Sequence, residues 1–369
     1  MSDDILLLDT DVETALREAV RDLLAERCDP AAVAAAYAGD FTLTQALWRP
    51  IATELGLAGL LIPENRGGAG GSAREAAVVL EELGRYAAPV PFLTSSVIAA
   101  TILLAGESEL VGELAAGETV AALLAPWSAA AVEQIPLLDK DSDGRLSGRV
   151  TSVAGALESD VLLAVVRTAA GLEVHALDKN AVTVEPVVSL DMTRPLVDIT
   201  VDAVPGRVVV EAAAGSEALR AGLATGAALL ASEQAGIAAW CLDNTVQYLK
   251  LRKQFGRVVG GFQSLKHRLA DLFVELESAR AAARYAAGTL AAGDPDAEIA
   301  TAVAAAYCGE IAVHAAEEAV QLHGGIGMTW EYPVHLYLKR AKADQIALGS
   351  PARHRAALAG LVDLSLGSA

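Results

Sequence analysis

The residues best suited to bind an anion lie in the stretch LRKQFGRVVGGFQ, which begins at Leu251. Arg252 and Gln254 stand beside Phe255 and Gly256, directly ahead of a segment whose apolar residues recur every three or four positions. A guanidinium group can pair with two oxygens of a pyrophosphate, and an aromatic ring can stack on a purine. The pattern therefore indicates a nucleotide contact. The alternative is a solvated arginine next to a phenylalanine that anchors a helix end.

A second candidate site follows a predicted helix in the stretch AVQLHGGIGMTWEYPV (319–334). Gln321 precedes Gly324 and Gly325, and glycines let a backbone approach a ligand closely and offer N–H groups to phosphate oxygens. The alternative is a helix end capped by glycine. His323 is predicted to be a structural hydrogen-bonding residue rather than a base. Because the stretch follows a helix and not a strand, it is not the fingerprint of a dinucleotide-binding fold.

The sequence predicts no other kind of catalytic site. It has no Gly-x-Ser-x-Gly elbow, no Walker-type sequence and no metal-ligand spacing among its six histidines. The cysteines are odd in number and far apart (Cys28, Cys241 and Cys308), which predicts buried thiols in a reducing cytoplasm. The N-terminal residues lack signal-peptide features, and the most apolar stretch, LATGAALLASEQAGIAAWCL, carries Glu233 and Gln234. We therefore expect a core helix and a cytoplasmic protein.

The charge balance limits the classes of partner. The chain has 369 residues with 47 acidic against 28 basic side chains, a formal net charge of −19. We therefore expect no binding to nucleic acid and none to an anionic membrane surface. Hydrophobic residues make up 53% of the chain but aromatic residues only 4%. Its cores must therefore be built from Ala, Leu and Val, which favours close packing of helices.

The elements that position these sites fall into three zones. Residues 1–117 are predicted to be mostly helical, with Ser72 as an N-cap. Residues 118–212 contain short runs rich in Val, Ile and Thr between turn signals, which predict a small antiparallel β-barrel or sandwich. Residues 213–369 are predicted to return to helices, at 217–250, 262–292, 296–321 and 335–346. Helices, strands and helices in separate blocks indicate an α+β fold.

Three segments, in this order, resemble the acyl-CoA dehydrogenase family over nearly the whole chain. They are LWRPIATELGLAGLLIPENRGGAGGSAREAAVVLEELGR (47–85), RKQFGRVVGGFQSLKHRLAD and QLHGGIGMTWEYPV. The resemblance implies an N-terminal helical domain, a middle β domain, a C-terminal four-helix bundle and FAD as cofactor. It also implies that two sets of residues line a slot for the adenosine-diphosphate end of an FAD held mainly by the adjoining subunit. One wall would be Arg252, Gln254, Phe255 and Gly256. The other would be Gln321, Gly324 and Gly325.

The resemblance implies α,β-desaturation of an acyl-CoA thioester, in which a glutamate removes the α-proton and the β-hydrogen leaves as hydride to the flavin. The family places that glutamate either after its last long helices or early in the first C-terminal helix. The matching positions here hold Leu348 and Gly226, so no catalytic residue is identified. The flavin-facing strand is altered as well, and only Thr151 or Ser152 would remain as a contact to the flavin ring.

A chain that keeps its contribution to a partner's cofactor but lacks its own base resembles the base-lacking subunits of actinobacterial α2β2 acyl-CoA dehydrogenases. That resemblance implies a homologous partner subunit that supplies the glutamate, and an electron-transfer flavoprotein that accepts the electrons. Two alternatives remain open. One is a self-sufficient homo-oligomer with a displaced acid, for which Glu233 and Asp344 lie nearest in sequence, and the other is a non-enzymatic acyl-CoA-binding relative. The sequence leaves the acyl group open as fatty, branched or steroid.

Overall fold

The protein has helices at both ends of the chain and two β-sheets between them. Its structure, a computed structural model, describes residues 5–364. The first four and last five residues, which the predicted end zones include, lie outside the described residues. The arrangement is that of an α+β protein, as the sequence predicts.

The N-terminal zone consists of short helices. They are α1 (Asp11–Arg27), α2 (Pro30–Ala35), α3 (Thr42–Arg49), α4 (Ala73–Arg85), α5 (Ala100–Leu103) and α6 (Leu110–Ala115), with a π-helix (Phe92–Ala99) directly before α5. A capping box begins α4, because Ser72 Oγ accepts from the Arg74 N–H and Glu75 accepts from the Ser72 N–H at 2.8 Å. The predicted N-cap at Ser72 is confirmed.

The middle zone is built from two four-stranded sheets. The first, in spatial order, contains β1 (Ala121–Leu123), β4 (Val161–Thr168), β5 (Gly171–Asp178) and β8 (Arg207–Val210). The second contains β2 (Asp139–Lys140), β3 (Arg145–Ala154), β7 (Leu196–Pro205) and β6 (Thr183–Val187). Side chains from both sheets, among them Val150, Leu162 and Ile199, share one core, so the region is a sandwich.

Of the predicted barrel or sandwich, the sandwich is confirmed, because neither sheet closes on itself. The edge strands β1 and β8 lie against the π-helix and α5, and helices that cover an edge remove the need for closure. The pairing is antiparallel except between β1 and β4, which run parallel. This exception arises because β2 and β3, which lie between β1 and β4 in the chain, belong to the other sheet and serve as the crossover connection.

The C-terminal zone contains long helices. They are α7 (Ala212–Leu251), α8 (Gln263–Ala292), α9 (Ala297–His323), α10 (Val334–Ile346) and α11 (Pro351–Leu361). All four predicted helices are present, and α8 begins within one residue of its predicted start. The short helix α11 was not predicted, although Ser350 caps it and Pro351 starts it.

The helix α7 lies at the centre of the molecule, where residues 226–239 are all buried. It packs on α9, α8 and α4. At its crossing with α4, a Cβ atom built on Gly236 would lie 1.9 Å from the Glu81 carbonyl oxygen, so only glycine permits this approach. The close helix packing expected from the composition is confirmed.

One stretch of the described chain, Ala297–Met328, is long and apolar enough to cross a membrane by length and composition. However, 67% of its most apolar window is buried inside the protein, where α9 packs on α7, α8, α10 and α11. Its place in the helical core accounts for this hydropathy.

The three cysteines are free and buried, as predicted. Burial raises the pKa of Cys28 and of Cys308 to about 12. These thiols therefore stay protonated at neutral pH, and a protonated thiol is not a nucleophile.

Candidate functional site

The first predicted nucleotide segment is a hairpin that follows α7. It consists of β9 (Lys253–Gln254) and β10 (Arg257–Val258), which pair in antiparallel fashion. Its two turn residues, Phe255 and Gly256, both have left-handed backbone (φ +53° and +73°), as a two-residue type I′ turn requires. The turn directs the Phe255 ring into solvent, where it is 88% exposed. Arg252, the C-cap of α7, makes no ion pair within residues 5–364.

The second predicted segment is the turn that follows α9. This helix ends at His323 and leads into a 3₁₀ turn, Gly324–Met328. Gly324 has φ +63° and ψ −140°, a backbone conformation essentially restricted to glycine. A Cβ atom built on Gly324 or on Gly325 would meet no described atom within 4 Å. The backbone here is open to an approaching ligand.

The two segments lie at the same end of the helical core. Tyr248 Oη donates to the His323 carbonyl oxygen at 3.3 Å, and the two rings stack with their centroids 4.3 Å apart. All seven predicted nucleotide-contact residues are exposed: Arg252, Gln254, Phe255, Gly256, Gln321, Gly324 and Gly325. An exposed aromatic ring, a guanidinium group without an ion pair among the described residues, and open glycine backbone fit the adenosine-diphosphate end of FAD.

The two positions expected to carry the catalytic acid meet in space. A Cβ atom built on Gly226, in α7, would lie 3.1 Å from Leu348 Cδ1 and 2.8 Å from Ile98 Cγ1. Leu348, which follows α10, is 3% exposed, and its N–H donates to the Trp127 carbonyl oxygen at 2.8 Å. Neither position offers a group that accepts a proton, and the neighbours of Gly226 leave little room for a side chain. Hydrocarbon fills the place where the acid is expected.

The acids nearest in sequence, Glu233 and Asp344, pair with arginines instead. Arg194 donates to Glu233 at 2.7 Å and to Asp344 at 2.6 Å. Arg340, only 1% exposed, lies 3.2 Å from Glu233 and 2.9 Å from Asp191. These five side chains form a buried charge cluster that joins the middle zone to α7 and α10. Both acids are therefore held as partners of arginine rather than as free bases.

The charge cluster contains three carboxyl groups and two guanidinium groups. Burial, and after it the neighbouring Glu233, raises the pKa of Asp344 well above its ordinary value. Within the described chain, Asp344 Oδ2 has no hydrogen-bond partner. The sequence did not reveal Arg194 or Arg340 as members of a site. No sequence signal was available, because the burial of both arginines and the carboxylate partners that a buried arginine requires are visible only in the structure.

An indole ring lies in the flavin-facing part of the middle zone. Trp127 is 9% exposed, and the Arg194 guanidinium lies 5.2 Å from the centre of its ring. The Ser152 backbone is already used, because its N–H donates to Asp198 at 2.9 Å and its carbonyl accepts from the Trp127 N–H at 2.8 Å. The cavity beside Trp127 and Ser152 has a volume of about 230 Å³. It is smaller than the roughly 300–1,000 Å³ of typical ligand pockets. The described residues thus do not fit an isoalloxazine ring as well as they fit the nucleotide end.

A larger cavity, of about 450 Å³, opens beside Leu348. Its walls come from α7, α8, α9 and α11 and from the loop at 130–133, and they include Leu223 and Leu290. Arg220 is among the charged groups of the lining. Its volume and its mostly apolar walls suit an acyl group.

The chain belongs to the acyl-CoA dehydrogenase family. Family models for the acyl-CoA dehydrogenase N-terminal domain and C-terminal domain match residues 10–115 and 213–361. The resemblance seen in the sequence is thereby confirmed, and the chain is assigned to the oxidoreductases of acyl-CoA dehydrogenase type.

Particular relatives refine this assignment. Acyl-CoA dehydrogenase IpdE2 of Mycobacterium tuberculosis is 37% identical over 342 residues, which are 91% of this chain and 92% of that protein. Acyl-CoA dehydrogenase FadE34 of the same organism is 34% identical over 353 residues, which are 93% of this chain but only 47% of that protein. A solved structure described as a variant of the Tcur3481–Tcur3483 steroid ACAD is 28% identical, with a TM-score of 0.83, and the match covers 97% of this chain and 99% of that one.

Proposed function

We propose that this chain is the acid-lacking subunit of a flavin-dependent acyl-CoA dehydrogenase that is active only as a hetero-oligomer. The observation that carries the proposal is the meeting of Gly226 and Leu348, because the two usual positions of the acid converge without one. The seven nucleotide-contact residues are complete and exposed, whereas the chain's own flavin bed is altered. This combination is expected if the flavin ring lies in a different subunit.

The reaction proposed for the assembled enzyme is α,β-desaturation of an acyl-CoA thioester. A glutamate of the homologous partner removes the α-proton, and FAD supplies the acceptor for the hydride that leaves the β-carbon. In this chain, Arg252 pairs with the pyrophosphate and Phe255 stacks on the adenine. Gln321 and the backbone of Gly324 and Gly325 line the opposite wall of the slot.

Two of the relatives support a second subunit and a substrate class. FadE34 has more of its length outside the match than inside it, which leaves room for a second unit of this size. The steroid ACAD structure is named for two proteins, Tcur3481 and Tcur3483, and its name supports a steroid-type acyl-CoA as the substrate. We propose an electron-transfer flavoprotein as the electron acceptor and the cytoplasm as the location.

The two alternatives receive less support. The acids that lie nearest in sequence to the expected positions, Glu233 and Asp344, are each paired with arginine inside the buried charge cluster, so neither is free to act as the base of a self-sufficient enzyme. A non-enzymatic relative would have no need for a complete and exposed set of nucleotide-contact residues.

Visible absorption spectra separate the three functions. The chain is purified alone and together with a homologous acyl-CoA dehydrogenase subunit that carries the glutamate. We expect a colourless lone chain, and a mixed complex whose bound flavin bleaches when acyl-CoA is added without oxygen. Flavin that bleaches in the lone chain would instead establish the self-sufficient enzyme. A lack of flavin in both preparations would favour the non-enzymatic relative.

A further inference from the structure

We infer that His323 is a positioning residue that holds the two walls of the nucleotide slot at a fixed separation. The inference rests on the proposed function, because that function defines the slot. His323 directly precedes Gly324, yet it is only 3% exposed, whereas Gln321, Gly324 and Gly325 all lie on the surface. The imidazole ring is therefore directed into the protein, beneath the residues proposed to touch the nucleotide.

Both ring nitrogens of His323 have partners. Nδ1 lies 2.7 Å from the carbonyl oxygen of Ala319, one turn earlier in α9. Nε2 lies 3.0 Å from Tyr332 Oη, and Tyr332 Oη in turn lies 2.6 Å from the side-chain amide of Asn244 in α7. Tyr248, one turn further along α7, stacks on the ring and donates its hydroxyl to the His323 carbonyl oxygen. The ring thus connects α9 with α7 through two separate routes.

The protons on His323 and Tyr332 determine which atom donates in each hydrogen bond of this network. A carbonyl oxygen only accepts, so His323 carries a proton on Nδ1. Burial lowers the pKa of His323, which favours the neutral ring and makes Nε2 an acceptor. Tyr332 has a single hydroxyl proton and gives it to Nε2. The structure as it stands has the Tyr332 hydroxyl donating to Asn244 Oδ1 at 2.6 Å; a half-turn of the amide directs its NH₂ group at Tyr332 Oη instead and leaves the hydroxyl proton for Nε2.

The network connects the places where the two walls begin. Asn244 and Tyr248 occupy the last two turns of α7, directly ahead of Arg252 and the hairpin. His323 and Tyr332 flank the glycine turn at 324–328 on its two sides. One diphosphate must reach both walls of the slot. The distance between the points where the two walls leave α7 and α9 therefore decides whether contacts from both walls can form together. His323 sets that spacing without touching the ligand.

The test is amide hydrogen exchange of the full chain, measured for residues 252–258 and 324–330. His323→Phe and Tyr332→Phe are compared with His314→Phe, which changes a half-exposed histidine on the same helix. We expect exchange to become about fivefold faster in both segments, the factor that corresponds to one buried hydrogen bond of about 1 kcal/mol. The control should leave both segments unchanged. Faster exchange confined to 324–330 would overturn the inference.

A second measurement distinguishes a failure of this inference from a failure of the proposed function. The dissociation constant of FAD from the mixed complex is measured by flavin fluorescence for His323→Phe and for Arg252→Ala. We expect both variants to raise it by about fivefold or more. If only Arg252→Ala raises the dissociation constant of FAD, the positioning role of His323 is overturned and the proposed slot is still supported. Coupled exchange in both segments with unchanged affinity in both variants contradicts the proposed slot instead.

Discussion

At the residue scale, the decisive feature is that neither Gly226 nor Leu348, the two positions expected to carry the acid, has a titratable side chain. Leu348 has left-handed backbone (φ +51°) and is anchored by the hydrogen bond from its N–H to the Trp127 carbonyl oxygen. Its neighbours Ile98 and Leu223 are apolar and buried. A carboxyl group placed there would meet hydrocarbon, which disfavours its charged form. The packing around Leu348 therefore disfavours an ionised carboxyl group at this position.

Restoring the acid at this position should not restore catalysis in the lone chain. We predict that Leu348→Glu shows no bleaching of flavin by acyl-CoA, because the flavin bed of this chain is altered as well. Burying an unpaired carboxyl group should lower the melting temperature as well. Leu348→Met, which nearly conserves volume, should cost less than about 1.5 kcal/mol. Bleaching by the lone Leu348→Glu variant would contradict the prediction.

The buried charge cluster predicts a pH dependence of stability. The pKa of Asp344 is raised in the folded chain above its ordinary value of 3.8, so above that pH the folded state binds more protons than the unfolded state. Stability therefore falls as the pH rises from 3.8 through the raised pKa. Asp344→Asn removes this loss, so its free energy of unfolding should depend less on pH in urea titrations from about pH 5 to about pH 8.

The matched variant is Glu233→Gln, because Glu233 accepts from both Arg194 and Arg340. Its loss leaves the guanidinium groups short of a carboxylate, and we expect a cost of about 3–5 kcal/mol in the free energy of unfolding.

A steeper pH dependence of stability in Asp344→Asn than in the unmodified chain would contradict the first of these predictions, because it would show that Asp344 is ionised in the folded state.

At the element scale, the crossing of α4 and α7 depends on glycine. We predict that Gly236→Ala destabilises the fold by at least about 1–3 kcal/mol, since its Cβ would press on the Glu81 carbonyl oxygen of the backbone. Gly112→Ala, on the exposed side of α6, is the control, because a Cβ there meets no described atom within 4 Å. That substitution should stabilise the protein by up to about 1 kcal/mol. The melting temperatures of both variants are measured by thermal unfolding. Equal changes in the two would show that the crossing of α4 and α7 does not require glycine at position 236.

Local patterns predicted the elements well, because their causes are local. The Ser72 cap and the span of α8 follow from residues a few positions apart. The sequence does not separate a sandwich from a barrel, because both share the same alternation along each strand, and closure depends on what covers the edges β1 and β8. The two positions of the expected acid, Gly226 and Leu348, came from the family resemblance alone, and only the structure shows that they meet. The partners of Arg194 and Arg340 lie far away in the chain, and no periodicity reports such pairs.

At the scale of the whole molecule, large apolar side chains are exposed within and next to the two segments of the proposed slot. Phe255 is 88% exposed, Met328 is 82% exposed and Trp330 is 65% exposed. Exposed apolar side chains clustered beside a polar site are typical of a surface that a partner covers. They lie beside the residues proposed to contact a cofactor held by that partner.

A charge placed on this surface should weaken the mixed complex. We predict that Met328→Glu shifts the complex towards free subunits in analytical ultracentrifugation, because the carboxylate would be buried without a partner. Val188→Glu, at a 94% exposed position in the middle zone, is the control and should leave assembly unchanged. Both variants should keep the circular dichroism of the unmodified chain. Equal assembly of the two variants would place the interface elsewhere.

The central claim is that the proton-abstracting group comes from the partner. Its most direct measurement is the rate of flavin bleaching in a single turnover of the mixed complex after the partner's glutamate is replaced by glutamine. We predict a rate about 10²–10⁴-fold lower with an unchanged flavin content, the usual effect of losing a general base. An unchanged rate would mean that an acid of this chain removes the proton, and would contradict the account.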